Sequence, residues 1–429
     1  MTLAYLYRRG DKSNFADLPA AVPLSRRNLV SLDGLRGLAI LMVMFTHSVD
    51  SIPPGRSAVN QAVLHSFSLG WAGVDLFFVL SGFLITGILL DTRECSNYFK
   101  SFYCRRALRI FPLSYSFLLI AFLVFPYIVQ PDWLPIPADR WLYPCYLMNW
   151  HVLWKDHFHG LVVGHFWTLC VEEQFYFIWP MIVLAVRPKL LLRFVLLMEV
   201  AIVSGRAGWV WSHGPSTTLG FATITRMDGL ILGAACALVV RRFQLPRRVT
   251  GMLPWIGALW LSGFVVGYQV AGDKLRESFV YSTGVVFLAI GFSAILLYAV
   301  LTDSEPTRLQ AWLRCRPLTR LGKYSYGIYV FHVPLFYFGR RFALHLPGTM
   351  QETLWAGYLL VAVQFVISYV AASISYTCFE RHFLSLKDRF KPEYRAQLGR
   401  LPDPRGFSPS SIGHVPAKGG RRWSESAGE

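Results

Sequence analysis

Arg36 and His47 stand eleven residues apart in D-G-L-R-G-L-A-I-L-M-V-M-F-T-H, an otherwise apolar stretch. On a helix, eleven residues make three turns plus about 20°, so the two side chains share a face about 16 Å apart along the axis. If Arg36 sits at the cytoplasmic mouth of a span, His47 is expected about half-way through the bilayer. An ionisable residue inside a span is costly and marks a functional site by default. An arginine snorkelling to headgroups and a histidine bonded within a helix interface fit the same spacing.

Further stretches carry polar groups of the same kind. G-W-A-G-V-D-L-F-F-V-L-S-G-F-L-I-T-G places Asp75 in an apolar run, with Gly70, Gly73, Ser81, Gly82 and Gly87 around it. Small residues let helices approach closely. A buried carboxylate needs a partner, and Asp75 could orient a neutral imidazole as the carboxylate of a nucleophile–His–Asp triad does. C-R-R-A-L-R-I-F-P supplies Arg105, Arg106 and Arg109, of which Arg106 and Arg109 are one helical turn apart. Arginine forks grip phosphate oxygens in pairs, although plain cytoplasmic charge explains the same spacing.

H-F-W-T-L-C-V-E-E-Q-F-Y-F-I-W-P holds Trp167 and the adjacent acids Glu172 and Glu173. These point about 100° apart on a helix, so one faces the bundle centre and the other an interface. L-G-K-Y-S-Y-G-I-Y-V-F-H-V-P carries Ser325, Tyr326 and His332, with Pro334 to kink the helix and open a cavity. T-R-M-D-G-L-I-L-G reads as an Arg226–Asp228 ion pair. A base in a span, a nearby acid and a cytoplasmic arginine cluster suit chemistry on a phosphate-bearing donor. They suit a proton-coupled transporter or flippase with a His47–Asp75 relay equally well.

These residues must be held by membrane helices. The chain has 429 residues, 54% hydrophobic and only 16% charged, against about 25% charged in soluble domains. Apolar runs near 35–51, 69–90, 110–129, 165–186, 190–204, 222–240, 251–270, 280–301, 324–344 and 354–378 predict about ten crossings. The run at 141–154 is too short to cross and is expected to be re-entrant or interfacial.

Basic residues cluster on alternate loops: Arg8 to Arg27, Arg93 to Arg109, Arg187 to Arg193, Arg241 to Arg248, Arg308 to Lys323, and Arg381 to Arg422. The predicted fold class is an all-α integral membrane bundle with both termini cytoplasmic. Its divisions are a cytoplasmic segment 1–29, a transmembrane domain 30–385 and a basic tail 386–429 expected to be disordered. The net charge of +17 is explained by those loops, which removes the reason to invoke nucleic acid. Seven scattered cysteines without a C-x-x-C pair argue against a disulfide framework or a metal site. Met1 to Arg27 lacks the apolar core of a cleavable signal, so the first span is expected to serve as its own insertion signal. No internal repeat is visible, which disfavours an inverted-repeat transporter.

Taken together and in order, L-D-G-L-R-G-L-A-I-L-M-V-M-F-T-H, G-V-D-L-F-F-V-L-S-G-F-L-I, R-x-x-R at Arg106 to Arg109, W-T-L-C-V-E-E-Q-F-Y-F-I-W-P and Y-S-Y-G-I-Y-V-F-H resemble the acyltransferase-3 family of integral-membrane acyltransferases. The resemblance implies transfer of an acyl group, most often acetyl, from cytoplasmic acyl-coenzyme A to a hydroxyl of a carbohydrate or lipid-linked saccharide, without a metal. It implies a multi-pass protein, expected in a bacterial inner membrane. Arg36 and His47 match the family's arginine–histidine pattern, and Arg106 and Arg109 its R-x-x-R.

The roles that follow are expectations. Arg105, Arg106 and Arg109 hold the coenzyme A phosphates, with Ser81 and Gly82 beside the donor. His47 is the general base or an acyl carrier, Asp75 or Glu172 orients it, and Arg36 or donors near Ser81 and Gly82 meet the oxyanion. Trp167, Glu173, Tyr326 and His332 are assigned to the acceptor. Larger members carry an extracytoplasmic esterase-like domain for which this sequence leaves no room, so such a step is expected to need another protein. A homo-oligomer is compatible with the sequence and not specified by it.

Overall fold

A computed structural model describes residues 29–53, 57–128, 139–155, 162–343, 345 and 353–394. The expected N-terminal segment up to residue 28 and the tail beyond 394 lie outside the described residues. Among the described residues every regular element is a helix, and one isolated antiparallel bridge joins Cys95 and Tyr394. The main helices are α1 (Val30–Ser48), α2 (Ala58–Ser68), α3 (Gly73–Asp91), α4 (Tyr98–Leu119), α5 (Met148–Lys155), α6 (Trp167–Ala185), α7 (Pro188–His213), α8 (Asp228–Arg242), α9 (Arg247–Val270), α10 (Val285–Leu301), α11 (Arg316–Ala343) and α12 (Leu354–Ser375).

Among the described residues seven helical stretches are long and apolar enough to cross a membrane: Val30–Ser51, Ala58–Asp91, Tyr98–Tyr127, Gly164–Ala185, Arg247–Val270, Leu275–Leu301 and Leu354–Phe390. This is a multi-pass membrane protein. The other expected spans are also helical, as α7, α8 and α11. However, α7 and α11 carry ionisable residues along their length, and α8 has 15 residues, about 22 Å of rise.

The centre of the bundle is α3, apolar all round and buried along most of its length. A helix of that kind belongs inside a core rather than at its surface. Glycines set how tightly its neighbours pack. A Cβ on Gly82 would fall 2.0 Å from the Leu230 carbonyl oxygen, and one on Gly37 2.0 Å from that of Leu318. Backbones this close exclude any side chain between them. Along α3 and α8, Asp75 meets Arg226, Gly82 meets Leu230 and Asp91 meets Arg241, so the two run in the same direction. By the same criterion α1 and α11 run in the same direction, since Gly37 lies against Leu318 and His47 against His332.

The segment expected to be re-entrant holds the end of a 3-10 turn, Arg140–Leu142, and the eight-residue α5. It is tied to α6 through Gln174. That side chain donates to the Tyr146 carbonyl (2.7 Å) and Asn149 (3.0 Å), and accepts from Trp150 (2.8 Å) and Thr223 (2.5 Å). Tyr146 has φ 54°, rare for a bulky residue. Its hydroxyl, 2.9 Å from Ser114 Oγ, and the Gln174 bond to its carbonyl pin it from both ends.

Within the segment assigned by composition to the tail, Leu386–Phe390 form a short 3-10 turn, and the turn and the residues after it dock on the start of α4. There Asn97 donates to the Lys391 carbonyl and Ser101 to that of Phe390.

Candidate active site

A cavity of about 360 Å³ opens between α1, α3, α4, α6 and α11. Its polar wall is Asp33, Arg36, Ser81, Arg106, Arg109, Thr168, Glu172, Tyr176, Ser325, Tyr326 and Tyr329. Helical phase explains the selection. Thr168, Glu172 and Tyr176 fall at i, i+4 and i+8 on α6, and Ser325 and Tyr329 at i and i+4 on α11.

Arg36 is 2.8 Å from Asp33 Oδ1, one turn earlier on α1. The Arg106 guanidinium lies over the Tyr176 ring, 4.1 Å from its centre, and its Nε is buried with no hydrogen-bond partner among the described residues. Arg109 is exposed. Tyr176 pairs with Ser81 Oγ by a short hydrogen bond, and Glu172 faces both hydroxyls and Arg106. The site therefore offers cationic donors from two helices beside a carboxylate and hydroxyls. A buried Arg106 N–H without a partner fits an anionic ligand such as a phosphate.

Tyr329 and Thr168 line this cavity and lead away from it. Their hydroxyls are 2.5 Å apart, and Tyr329 also donates to the His165 carbonyl. Beyond them lies a cluster of three histidines. The His332 ring is 5.1 Å from His47 and 5.4 Å from His165, edge-on to both. His332 is fully buried and His165 nearly so, while His47 is exposed. His47 occupies the last turn of α1. Pro334 lies inside α11 without ending it, and its missing N–H frees the Val330 carbonyl beside the cluster.

Several expected site residues lie elsewhere. Asp75, expected beside an imidazole, is instead paired with Arg226 at 3.2 Å, where the guanidinium also lies near the Trp71 and Trp167 rings. Arg226 accordingly is not the partner of Asp228. Arg206 on α7 takes that carboxylate in a fork, at 2.6 and 2.9 Å. Sequence proximity suggested the wrong pair because α8 begins at Asp228, which turns Arg226 towards α3.

Trp167 packs edge-on against Phe78 and Phe221 outside the cavity. Glu173 does not line the cavity either. Its Oε1 is buried. Arg105 bonds the Lys387 carbonyl at 3.4 Å, and Gly82 packs on α8. Thus Arg36, Ser81, Arg106, Arg109, Glu172 and Tyr326 share the cavity, while His47 and His332 share the histidine cluster.

Sequence reasoning missed His165, Thr168, Tyr176, Tyr329 and Arg206. The first three were legible in principle, since 165, 168, 172 and 176 fall on one helical stripe through Glu172.

The fold and the cavity define a class: a helical membrane protein with an arginine-lined cavity inside its bundle, walled by the same tyrosine that supports a histidine cluster. The chain belongs to the acyltransferase-3 family, whose model, described as an acyltransferase domain, matches residues 29–373. It is 30% identical over 391 residues to the peptidoglycan O-acetyltransferase OatA of Listeria monocytogenes, covering 85% of this chain and 58% of that protein. It is 27% identical over 368 residues to the O-acetyltransferase OatA of Staphylococcus aureus, covering 80% of this chain and 56% of that one. The chain thus spans little more than half the length of these curated relatives. No solved structure matches it significantly.

Proposed function

We propose that this chain is a membrane O-acyltransferase that moves an acyl group, acetyl in the first instance, from cytoplasmic acyl-coenzyme A to a hydroxyl of a carbohydrate or glycolipid. The names of its relatives make a cell-wall glycan the first acceptor to try. The observation that carries this reading is the shared wall: Tyr329 and Thr168 border both the arginine cavity and the histidine cluster. A donor's phosphates and an acceptor's hydroxyl then have separate, adjoining places.

In this reading Arg106 and Arg109 hold coenzyme A phosphates, with Arg36 at the mouth. Arginine suits this task because its planar fork stays charged and matches phosphate geometry. His47 is the general base, accepting the hydroxyl proton as the acceptor oxygen attacks the thioester carbonyl. The carbon–sulfur bond breaks, sulfur leaves with the electron pair, and His47 returns the proton to it. Ser81, Tyr176 and Glu172 shape the donor side. The membrane is the bacterial plasma membrane, crossed about ten times. The common direction of α1 and α11 fits their places as first and ninth crossings.

The test uses purified chain in detergent with radiolabelled acetyl-coenzyme A and a muropeptide or oligosaccharide acceptor. Acetyl transfer or coenzyme A release that disappears in His47→Ala supports the reading. Full turnover in that variant removes His47 as the base. Movement of a glycan across proteoliposomes without coenzyme A release overturns the enzyme class.

A further inference from the structure

A histidine acting as a base needs one ring nitrogen held as N–H so that the other stays free to accept a proton. Of the two carboxylates expected to do this for His47, Asp75 is engaged by Arg226, and Glu172 lies in the arginine cavity with Ser81, Tyr176 and Arg106. The ring that faces His47 is instead His332, 5.1 Å away at an interplanar angle of 62°. His332 Nδ1 lies 2.8 Å from the Tyr329 carbonyl oxygen and 3.2 Å from that of Ile328. Carbonyl oxygens only accept, so Nδ1 carries the proton, and in the neutral ring Nε2 is then an acceptor. That Nε2 is buried, with no hydrogen-bond partner among the described residues. A fully buried acceptor of this kind is rare enough to require a reason.

We propose that His332 is a positioning residue for His47, doing with a neutral imidazole what a carboxylate does in a triad. Its Nε2 accepts the ring N–H of His47 and leaves the other His47 nitrogen facing the acceptor hydroxyl. An N–H···N bond of about 2.9 Å between two such rings sets their centres about 5 Å apart, the separation found here. Rotation of the exposed His47 ring closes the bond, because the His332 ring is fixed by its own helix.

During transfer the acceptor's O–H proton passes to the free nitrogen of His47. His332 gains no proton and holds the N–H of the imidazolium until the leaving sulfur takes the proton back. Among the described residues the other titratable groups facing these rings are His165 and Tyr329, both packed against His332, and Asp50 just past the end of α1. Asp50 is itself 3.3 Å from Arg340. This inference rests on the general-base reading of His47.

Acetyl transfer by the purified full chain is measured against pH for wild type, His47→Ala, His332→Leu, His332→Asn and His332→Gln. His332→Leu and His332→Asn are expected to lower kcat about 10–100-fold, the loss of one charge-assisted hydrogen bond. KM for acetyl-coenzyme A stays unchanged. The acid limb moves about one unit to lower pH, because the imidazolium loses an acceptor. His332→Gln, whose Oε1 reaches and accepts, restores most of the rate and the limb.

An acid limb that stays in place in both His332→Asn and His332→Leu overturns the proposal, and so does a Gln variant as impaired as Asn at unchanged KM. If the Leu variant does not fold, the Asn and Gln pair decides alone. Transfer that persists in His47→Ala overturns the general-base reading itself. Loss in His47→Ala with unmoved limbs in the His332 variants overturns only the role of His332.

Discussion

Asp75→Asn separates two accounts of the same carboxylate. Its side chain is 1% exposed and its partner Arg226 4% exposed, 3.2 Å apart. Removing the carboxylate charge leaves a buried guanidinium without its counter-ion, which costs about 3–5 kcal/mol. Two features place the expected loss near the lower end. The amide oxygen introduced by the substitution can still accept from Arg226, and the indoles of Trp167 and Trp71 lie 5.6 and 5.9 Å from the guanidinium carbon, each worth about 0.5–2 kcal/mol. The double variant Asp75→Asn/Arg226→Met removes the stranded charge and should recover most of the loss.

The assay is paired: reversible SDS unfolding for stability, and acetyl transfer against pH for chemistry. If the carboxylate only holds α3 to the segment before α8, the double variant unfolds near wild type. It then transfers acetyl within about tenfold of the wild-type rate, with its acid limb in place. A carboxylate that oriented the catalytic imidazole would cost about 10⁴ in kcat. A double variant with restored stability and that loss of rate would refute the reasoning.

The remaining predictions follow from the same contacts. Arg206→Met should destabilise by about 3–5 kcal/mol, recovered in Arg206→Met/Asp228→Leu, while Arg226 and Asp228 show no coupling in the same unfolding cycle. Arg106→Lys and Arg109→Lys should each raise KM for acetyl-coenzyme A about 10–100-fold through loss of the planar fork. Arg105→Ala should leave it within about twofold, because Arg105 bonds the Lys387 carbonyl outside the cavity; steady-state kinetics at fixed ionic strength decides both. Gly82→Ala should cost about 1–3 kcal/mol in unfolding, since its methyl meets the Leu230 carbonyl.

The stripe on α1 shows how far periodicity carries. Helical phase placed Arg36 and His47 on one face, and the fold sends that face to the cavity at one end and to the histidines at the other. Periodicity could not say where α1 stops, and it stops one residue after His47. The same rule read one helix at a time grouped Arg106 with Arg109 and separated Glu172 from Glu173, as the cavity does.

It failed wherever a partner comes from a distant helix. Asp75 and Arg226 are 151 residues apart, and their meeting depends on α3 and α8 running in the same direction at glycine contact distance. Alternating crossings give that direction, since the two are the second and sixth expected spans, but nothing in either segment says that they are neighbours. Arg206 was hidden for a related reason: as one of several ionisable residues along α7, it reads as interfacial until Asp228 is seen to approach it with both oxygens. Spacing therefore names the residues on a face. The small residues that bring two faces together decide which of them meet.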